Sequence, residues 1–440
     1  MKDYFFSLAN TGTGLVRGDE FLLLSYQGEI SDFCRLNQSK IRQIGKVNHQ
    51  RLEIRLEQQS RHASFELTLS GVLSEDEYRL KKVIHSLREI LPFVPVDPYF
   101  IRGGEVSSSD AIQQSQIPSV EETSQSLLEA AKGTDLVGFL AQGGIFRGFA
   151  NSLGQRNWFE THSFNFDWSL YLRDDKAVKS QYAGFEWDPQ MLRQKMDDAR
   201  LQLEYLARPA KVLSPGSYRA FLAPAAVEEI MSLLSWRGFG TKSQKTKGSP
   251  ITRLVEASVQ LHPSVFLEED VKGGVAPNFD GYGFLKPERV PLIEQGKHVG
   301  SLTSARSSRE YGVHATGASE GEQPESLAMK SGHLARQNIL SVLGDGLYIN
   351  NLWYMNFSDA PLCRMTGMTR FACFWVKNGR IENPLNVMRF DDSFFRMFGE
   401  NLEGLTAEQE LQLSSSTYEG RSTQSSKLPG ALIKELKLTL

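Results

Sequence analysis

What most constrains this chain is a two-residue alternation of apolar and polar side chains. Leu52, Ile54 and Leu56 alternate with charged residues, and Phe65, Leu67 and Leu69 repeat the pattern. A third run, FNFDWSLYL, sits in an aromatic-dense stretch over 138–187. Successive side chains on a strand point to opposite faces, so this period marks sheets with one apolar face. The first 70 residues therefore read as strands, and 138–187 as core strands. Helical periods interrupt them. Ser74 opens one helix with Glu77 as its capping box, and Leu80, Val83, Ile84, Leu87 and Leu91 form the stripe before Pro92. Asp188 and Pro189 start another as N-cap and first-turn proline, with Leu192, Met196, Ala199, Leu203 and Leu206 on its apolar side.

The chain has 440 residues, more than one ordinary core holds. Two domains of roughly 200 residues are expected. The stretch 207–217, with two prolines and a glycine, is the candidate boundary. It separates a mixed N-terminal domain, 1–210, from a C-terminal domain, 211–440. In the second, a strand over Tyr218–Leu222 and a helix near 224–235 lead into hairpins. Turns are expected at Gln295-Gly296 and at Asn378-Gly379, the second being the stronger signal because both of its central residues need positive φ. A helix over Ile339–Leu343 stops at Gly344, 414–426 reads as a Ser/Thr-rich loop, and the last ten residues alternate as a strand. The polar stretch near 104–125 reads as a surface loop, followed by a short helix over Leu127, Leu128 and Ala131. The fold class is α+β, with antiparallel sheet dominating the second domain.

Charge and cysteine content narrow the function. Lys and Arg number 49 against 52 Asp and Glu, so no net field draws the chain to nucleic acid. Cys34, Cys363 and Cys373 form no CxxC pair and are odd in number, which argues against a disulfide scaffold and for a reducing compartment. No secretory signal and no membrane-length apolar run is visible. Cytoplasmic residence without membrane association is the expectation.

The familiar catalytic motifs are incomplete. No two of the eight histidines lie within ten residues, so no helix carries a zinc pair. Gly317-Ala318-Ser319-Glu320-Gly321 matches GxSxG, but no apolar strand leads into it, and a nucleophile elbow needs one. The pairs Asp174-Asp175, Asp197-Asp198 and Asp391-Asp392 read as solvated faces, since adjacent side chains point apart.

The C-terminal half carries a sharper signal. Gly346-Leu347-Tyr348-Ile349 precedes Thr369-Arg370, then Phe374-Trp375-Val376-Lys377-Asn378-Gly379-Arg380-Ile381, then Pro384-Leu385. This order resembles the end of the TldD/PmbA family, where a GLYV strand precedes an SRG segment and an FWIENGEI hairpin. The family holds metallopeptidases and zinc-free relatives. Its catalytic branch carries HExxxH on the helix after an apolar strand and a late cysteine as third zinc ligand. Counted from Ala223-Pro224, the histidine positions fall on Ser232 and Arg237, and the glutamate on Leu233. Counted back from the final strand, the cysteine falls on Ser416. These side chains cannot replace imidazole and thiolate on zinc, and Arg237 would bring a fixed positive charge there.

The chain therefore resembles the PmbA/TldE branch. That resemblance implies no cofactor of its own, zinc residing in a TldD-like HExxxH partner. The pair would form a heterodimeric protease for unfolded peptides, as in microcin leader removal and antitoxin turnover. This chain would complete a chamber and pair with peptide through strand edges. Arg370, matching the SRG arginine, would hold the hairpin or touch substrate. Phe371 stands where the family has glycine and would narrow the groove. Glu228 and Glu229 read as the wet face of the helix. Two other readings stand: a lone hydrolase using Ser319, and a peptide-binding homo-oligomer, such as a homodimer, without a protease partner.

Overall fold

A computed structural model describes residues 1–102, 106–173 and 176–439. The Asp174-Asp175 pair and the beginning of the stretch near 104–125 lie outside the described residues.

The chain opens with a helix, α1 (Lys2–Thr13), and not with a strand. Phe5, Leu8, Ala9 and Gly12 are buried at the three- and four-residue spacing of one helix face, a pattern that outweighs the β preference of its aromatics. Three strands follow: β1 (Phe21–Asn37), β2 (Lys40–Gln58) and β3 (Arg61–Thr68). Then comes α2 (Leu73–Ile90). Its expected Ser74–Glu77 box is not made: Val72 is the N-cap and gives no side-chain bond. Asp76 instead accepts the Ser70 and Gly71 backbone N–H groups, while Glu77 accepts the Thr11 hydroxyl at 2.7 Å.

The stretch near 104–125 is not simply a loop. Ser109–Ile112 forms β4, and α3 (Val120–Ala130) starts there with a true capping box between Ser119 and Glu122. The S-x-x-E spacing was hidden by the polar composition around it. Next come β5 (Asp135–Asn151), β6 (Arg156–Arg173), β7 (Lys176–Gly184) and α4 (Pro189–Leu206), capped by Asp188 as expected.

The first sheet runs β3-β2-β1-β5-β6-β4, with β7 also on β6. Its pairs are antiparallel except β4 on β6. Register sets its two faces. Leu24, Tyr26 and Cys34 lie opposite Ala150, Gly148 and Leu140. At one end this face packs on α1 and α2 through Phe5, Leu8, Leu80 and Ile84. At the other it packs on α3 and α4 through Leu127, Leu192 and Met196. The opposite face carries Ser25, Gln27, Glu29 and Ser31 of β1, with Thr161, Ser163 and Asn165 of β6 at the same parity. Helices cover the apolar face, and the polar face turns towards the rest of the chain.

The second sheet gathers the remaining strands: β8 (Gly216–Leu222), β9 (Leu267–Asp270), β10 (Arg289–Glu294), β11 (Lys297–His298), β12 (Ser326–Met329) and β13 (Gly346–Ile349). It continues with β14 (Asn351–Asp359), β15 (Arg364–Arg370), β16 (Phe374–Lys377), β17 (Arg380–Pro384), β18 (Arg389–Ser393), β19 (Leu402–Leu413) and β20 (Ser425–Leu438). The path is β11-β10-β9-β12-β20-β8-β13-β16-β17, with β14, β15, β18 and β19 alongside. Antiparallel pairs dominate; β12 with β20 and β8 with β13 are parallel. Both expected turns form, with φ 48° and 75° at Gln295-Gly296 and 49° and 71° at Asn378-Gly379. Behind β8 comes α5 (Pro224–Ser235), burying Ala226, Val227, Ile230, Met231 and Leu234 in the second core. The larger of these side chains each contribute roughly 1.5–3 kcal/mol. Among the described residues no helix is long and apolar enough to cross a membrane.

Candidate functional site

The polar face of the first sheet meets the second sheet across the segment 414–424, which has no regular secondary structure beyond a turn at 417–420. Asn165 and Gln181 anchor the end of β19 there, donating to the Leu413 carbonyl at 3.3 Å and 2.7 Å. Two cavities flank the segment and share Gln323, Ser414 and Gln424 in their walls.

The first, of about 630 Å³, lies against α5. Glu228, Glu229 and Ser232 enter its wall, facing Asp167 and Lys179 of the first sheet. Both glutamates are half-buried and face an open cleft between α5 and the first sheet. Burial pushes the Glu228 carboxyl up to about 7, and the negative Glu229 beside it adds to the rise while Lys179 opposes it. Burial raises Glu229 and Asp167 as well, Lys179 again opposing. Lys179 stands 3.6 Å from Asp167. A carboxyl poised near neutrality can exchange protons. Yet the lining holds no histidine and no cysteine, so no nucleophile or zinc ligand of those kinds accompanies it.

The second cavity, of about 690 Å³, lies beneath β1, β2 and β5. Its wall is dense in charge. Lys286 pairs with Glu325 at 2.9 Å. The Arg421 guanidinium donates to the carbonyls of Gly143 and Ser163 at 3.0 Å each and to the Ser163 hydroxyl at 2.7 Å. The Arg421 backbone N–H donates to Glu29 at 2.8 Å. This residue therefore ties the 414–424 segment to three strands of the first sheet. Gly143 sits at φ 140°, where an added Cβ would meet the Ile30 carbonyl at 2.2 Å. The close approach of β1 and β5 at that point requires glycine. Burial pushes Asp280 up to about 7, although the backbone N–H groups of Phe284 and Tyr282 bond its carboxylate.

The structure separates the residues singled out from the sequence. Ser232 and Leu233 line the first cavity. Arg237 does not; it is exposed, its guanidinium 4.8 Å above the Trp236 ring. Ser416 is exposed and lines the second cavity. Arg370 is stacked over Trp353 at 4.8 Å and Phe371 at 5.2 Å, and neither it nor Phe371 lines either cavity. Phe371 has φ 59°, the left-handed region that favours glycine. Ser319 lines the second cavity, but a turn and not a helix follows it, and its carbonyl accepts the Glu322 N–H at 2.9 Å. Among the described residues no histidine bonds its hydroxyl. The three cysteines are buried and unpaired, and burial raises all three thiols away from the reactive thiolate. Among the described residues no group of three His, Cys, Asp or Glu side chains is placed to hold a metal ion.

Sequence reasoning missed Glu29, Arg147, Asp280, Lys286 and Arg421. One signal was available: every second residue of β1 from Ser25 to Ser31 is polar, which marks one whole face.

Residues 215–440 match the model of the PmbA/TldA metallopeptidase C-terminal domain. A comparison with curated proteins finds no match. Among solved structures, the chain is similar to TldE from Thermococcus kodakarensis, with a TM-score of 0.78 at 12% identity, covering 99% of this chain and 100% of that one. It is also similar to a candidate DNA gyrase modulator from Thermotoga maritima, with a TM-score of 0.75 at 15% identity over 100% and 99% of the two chains. A third, a candidate DNA gyrase modulator from Bacteroides thetaiotaomicron, gives 0.74 at 14% identity over 100% and 98%. At these identities the likeness establishes the fold.

Proposed function

Because the chain belongs to the TldD/PmbA family, we propose that it is a zinc-free subunit that works with a TldD-like, HExxxH-bearing metallopeptidase on unfolded peptides. One observation carries this reading. The helix on which the catalytic branch bears its zinc motif, α5, presents Ser232 and Leu233 to a cavity whose wall has no imidazole and no thiol. The residues at the four family positions do not suit zinc. A serine hydroxyl and a leucine are poor or impossible ligands, Arg237 lies outside the cavity, and Ser416 lines the neighbouring one. No catalytic step is assigned to a metal in this chain.

What the chain offers a peptide is a pair of open polar clefts. The polar face of the first sheet supplies hydrogen-bonding side chains along both cavities; strands of the second sheet and α5 form the far wall of the first, and the loops 277–286, 319–325 and 414–424 that of the second. Such a surface suits an extended backbone, whose donors and acceptors must be met when water is excluded. The boundary between the two units is placed near 211, ahead of β8.

Co-purification from the native cell tests the reading. A HExxxH-bearing family member should accompany the chain, and the mixture should cleave an unfolded peptide. Recovery of the chain with copies of itself alone would favour the homo-oligomer. Hydrolysis by the isolated chain that disappears in Ser319→Ala would replace the proposal with a serine hydrolase.

A further inference from the structure

Among the described residues, one arginine in the wall of the cavity beneath the first sheet has no carboxylate within ion-pairing distance. Arg147 lies opposite Gln27 of β1 and Phe159 of β6, and its side chain enters the cavity wall. Its Nη1 donates to the Phe146 carbonyl at 2.9 Å and, at the limit of bonding, to the Gly28 carbonyl at 3.5 Å. Among the described residues it forms no ion pair. The other strong cations in this wall are engaged. Lys286 has Glu325 at 2.9 Å, and Arg51 has Glu66 and Glu419 at 3.6 Å and 3.8 Å. Arg421 is held by carbonyls and a serine hydroxyl. Burial lowers the Arg147 guanidinium to about 10, with Glu29 and Glu325 acting in the opposite direction, so it stays charged at neutral pH.

A guanidinium carries five N–H donors in a planar fork that matches a carboxylate. A partly desolvated guanidinium with no carboxylate in direct contact keeps donors free for a ligand, and such groups concentrate where ligands bind. The cavity, of about 690 Å³, falls within the range of small-molecule sites. We propose that Arg147 anchors a carboxylate of a bound peptide in this cavity. The ligand class rests on the reading that this protein takes peptides. The carboxylate comes from a peptide C-terminus or from an Asp or Glu side chain. A doubly charged phosphate suits the site less well, because Glu29 and Glu325 stand near enough to act on Arg147.

The test is calorimetric titration of the full, isolated chain with three hexapeptides of one common sequence. One has a free C-terminus and no acidic side chain, one is amidated, and one is amidated with a single Glu. At least one carboxylate-bearing peptide should bind about tenfold or more tightly than the neutral amide. Whichever does so identifies the source. Arg147→Gln should remove that preference, and Arg147→Lys, which keeps the charge but not the fork, should retain part of it. Melting curves establish that each variant is folded, and the lysine variant decides the matter if the glutamine variant is not. Equal binding of acid and amide overturns the proposal. So does a preference that survives both substitutions, or no binding of any of the three. A partnered complex that cleaves peptides without regard to carboxylates sinks the anchor and leaves the subunit reading standing. A chain that selects acids yet never joins an active complex does the reverse.

Discussion

The two cavities share a dividing segment and differ in how they treat charge. Against α5, Glu228 and Glu229 repel one another and are held towards their neutral forms by burial, with Lys179 as the nearby cation. Beneath β1 and β5, most charges are matched: Lys286 by Glu325, and Arg421 by carbonyls and a hydroxyl. The first wall includes α5, the helix on which residue counting from Ala223-Pro224 places the family's zinc motif. The second wall joins the two sheets, because Arg421 reaches from the 414–424 segment into β5 and β6. Charge that bonds across a junction is structural, whereas charge that is merely enclosed remains available for binding or is tolerated at a cost.

Three substitutions sharpen or break this contrast. The largest effect is expected for Arg421→Met. It removes the donor for the Gly143 and Ser163 carbonyls, at 8% residual exposure, and frees the dividing segment. Stability should fall by about 3 kcal/mol. A denaturant midpoint shifted at constant slope would register this; a loss below about 0.5 kcal/mol would show that the junction does not depend on it.

A smaller and pH-dependent change is expected for Glu228→Gln. An acid whose folded pKa exceeds its unfolded value binds protons more tightly in the folded chain. Its contribution to stability is thus present in full below about 4.5 and is lost as pH rises through about 7. The glutamine variant should match the parent near pH 4.5 and exceed it at pH 8, by something on the order of 1 kcal/mol because the carboxyl keeps part of its hydration. Thermal melting across that range checks it. A parent curve that rises with pH relative to the variant would contradict the enclosed-acid picture.

The smallest effect is expected for Phe371→Gly, at a residue that lines neither cavity. Relief of a left-handed backbone at φ 59° is offset by the lost ring beneath Arg370 and by glycine's freedom in the unfolded chain. The net change should stay within about 0.5 kcal/mol, and peptide binding should be unaltered. Weakened binding would place this hairpin in the groove after all.

The features legible in the sequence are local ones. Asn378-Gly379 dictates its turn through backbone conformation alone, and Asp188-Pro189 starts α4 through one bond and one fixed φ. Likewise β8 and α5 announce themselves by a change of hydrophobic period. The N-terminal helix was lost because Tyr4, Phe5 and Phe6 suit either period when only one turn is weighed. The capping box at Ser119 was lost in a polar background. The site was harder, for a physical reason. Arg421 sits in a serine-rich segment and gains its partners only when two sheets close on it. Arg237 shows the converse, since residue counting puts it on the helix of the zinc motif, whereas α5 ends at Ser235 and Arg237 turns outward over Trp236.

The central claim is that this polypeptide takes its hydrolytic chemistry from another chain. It is tested most directly by one paired measurement: zinc content and peptide cleavage of the purified, partner-free protein. The account predicts less than stoichiometric zinc and no turnover of an unfolded peptide until a HExxxH-bearing family member is added. One zinc per chain together with unaided cleavage would contradict it.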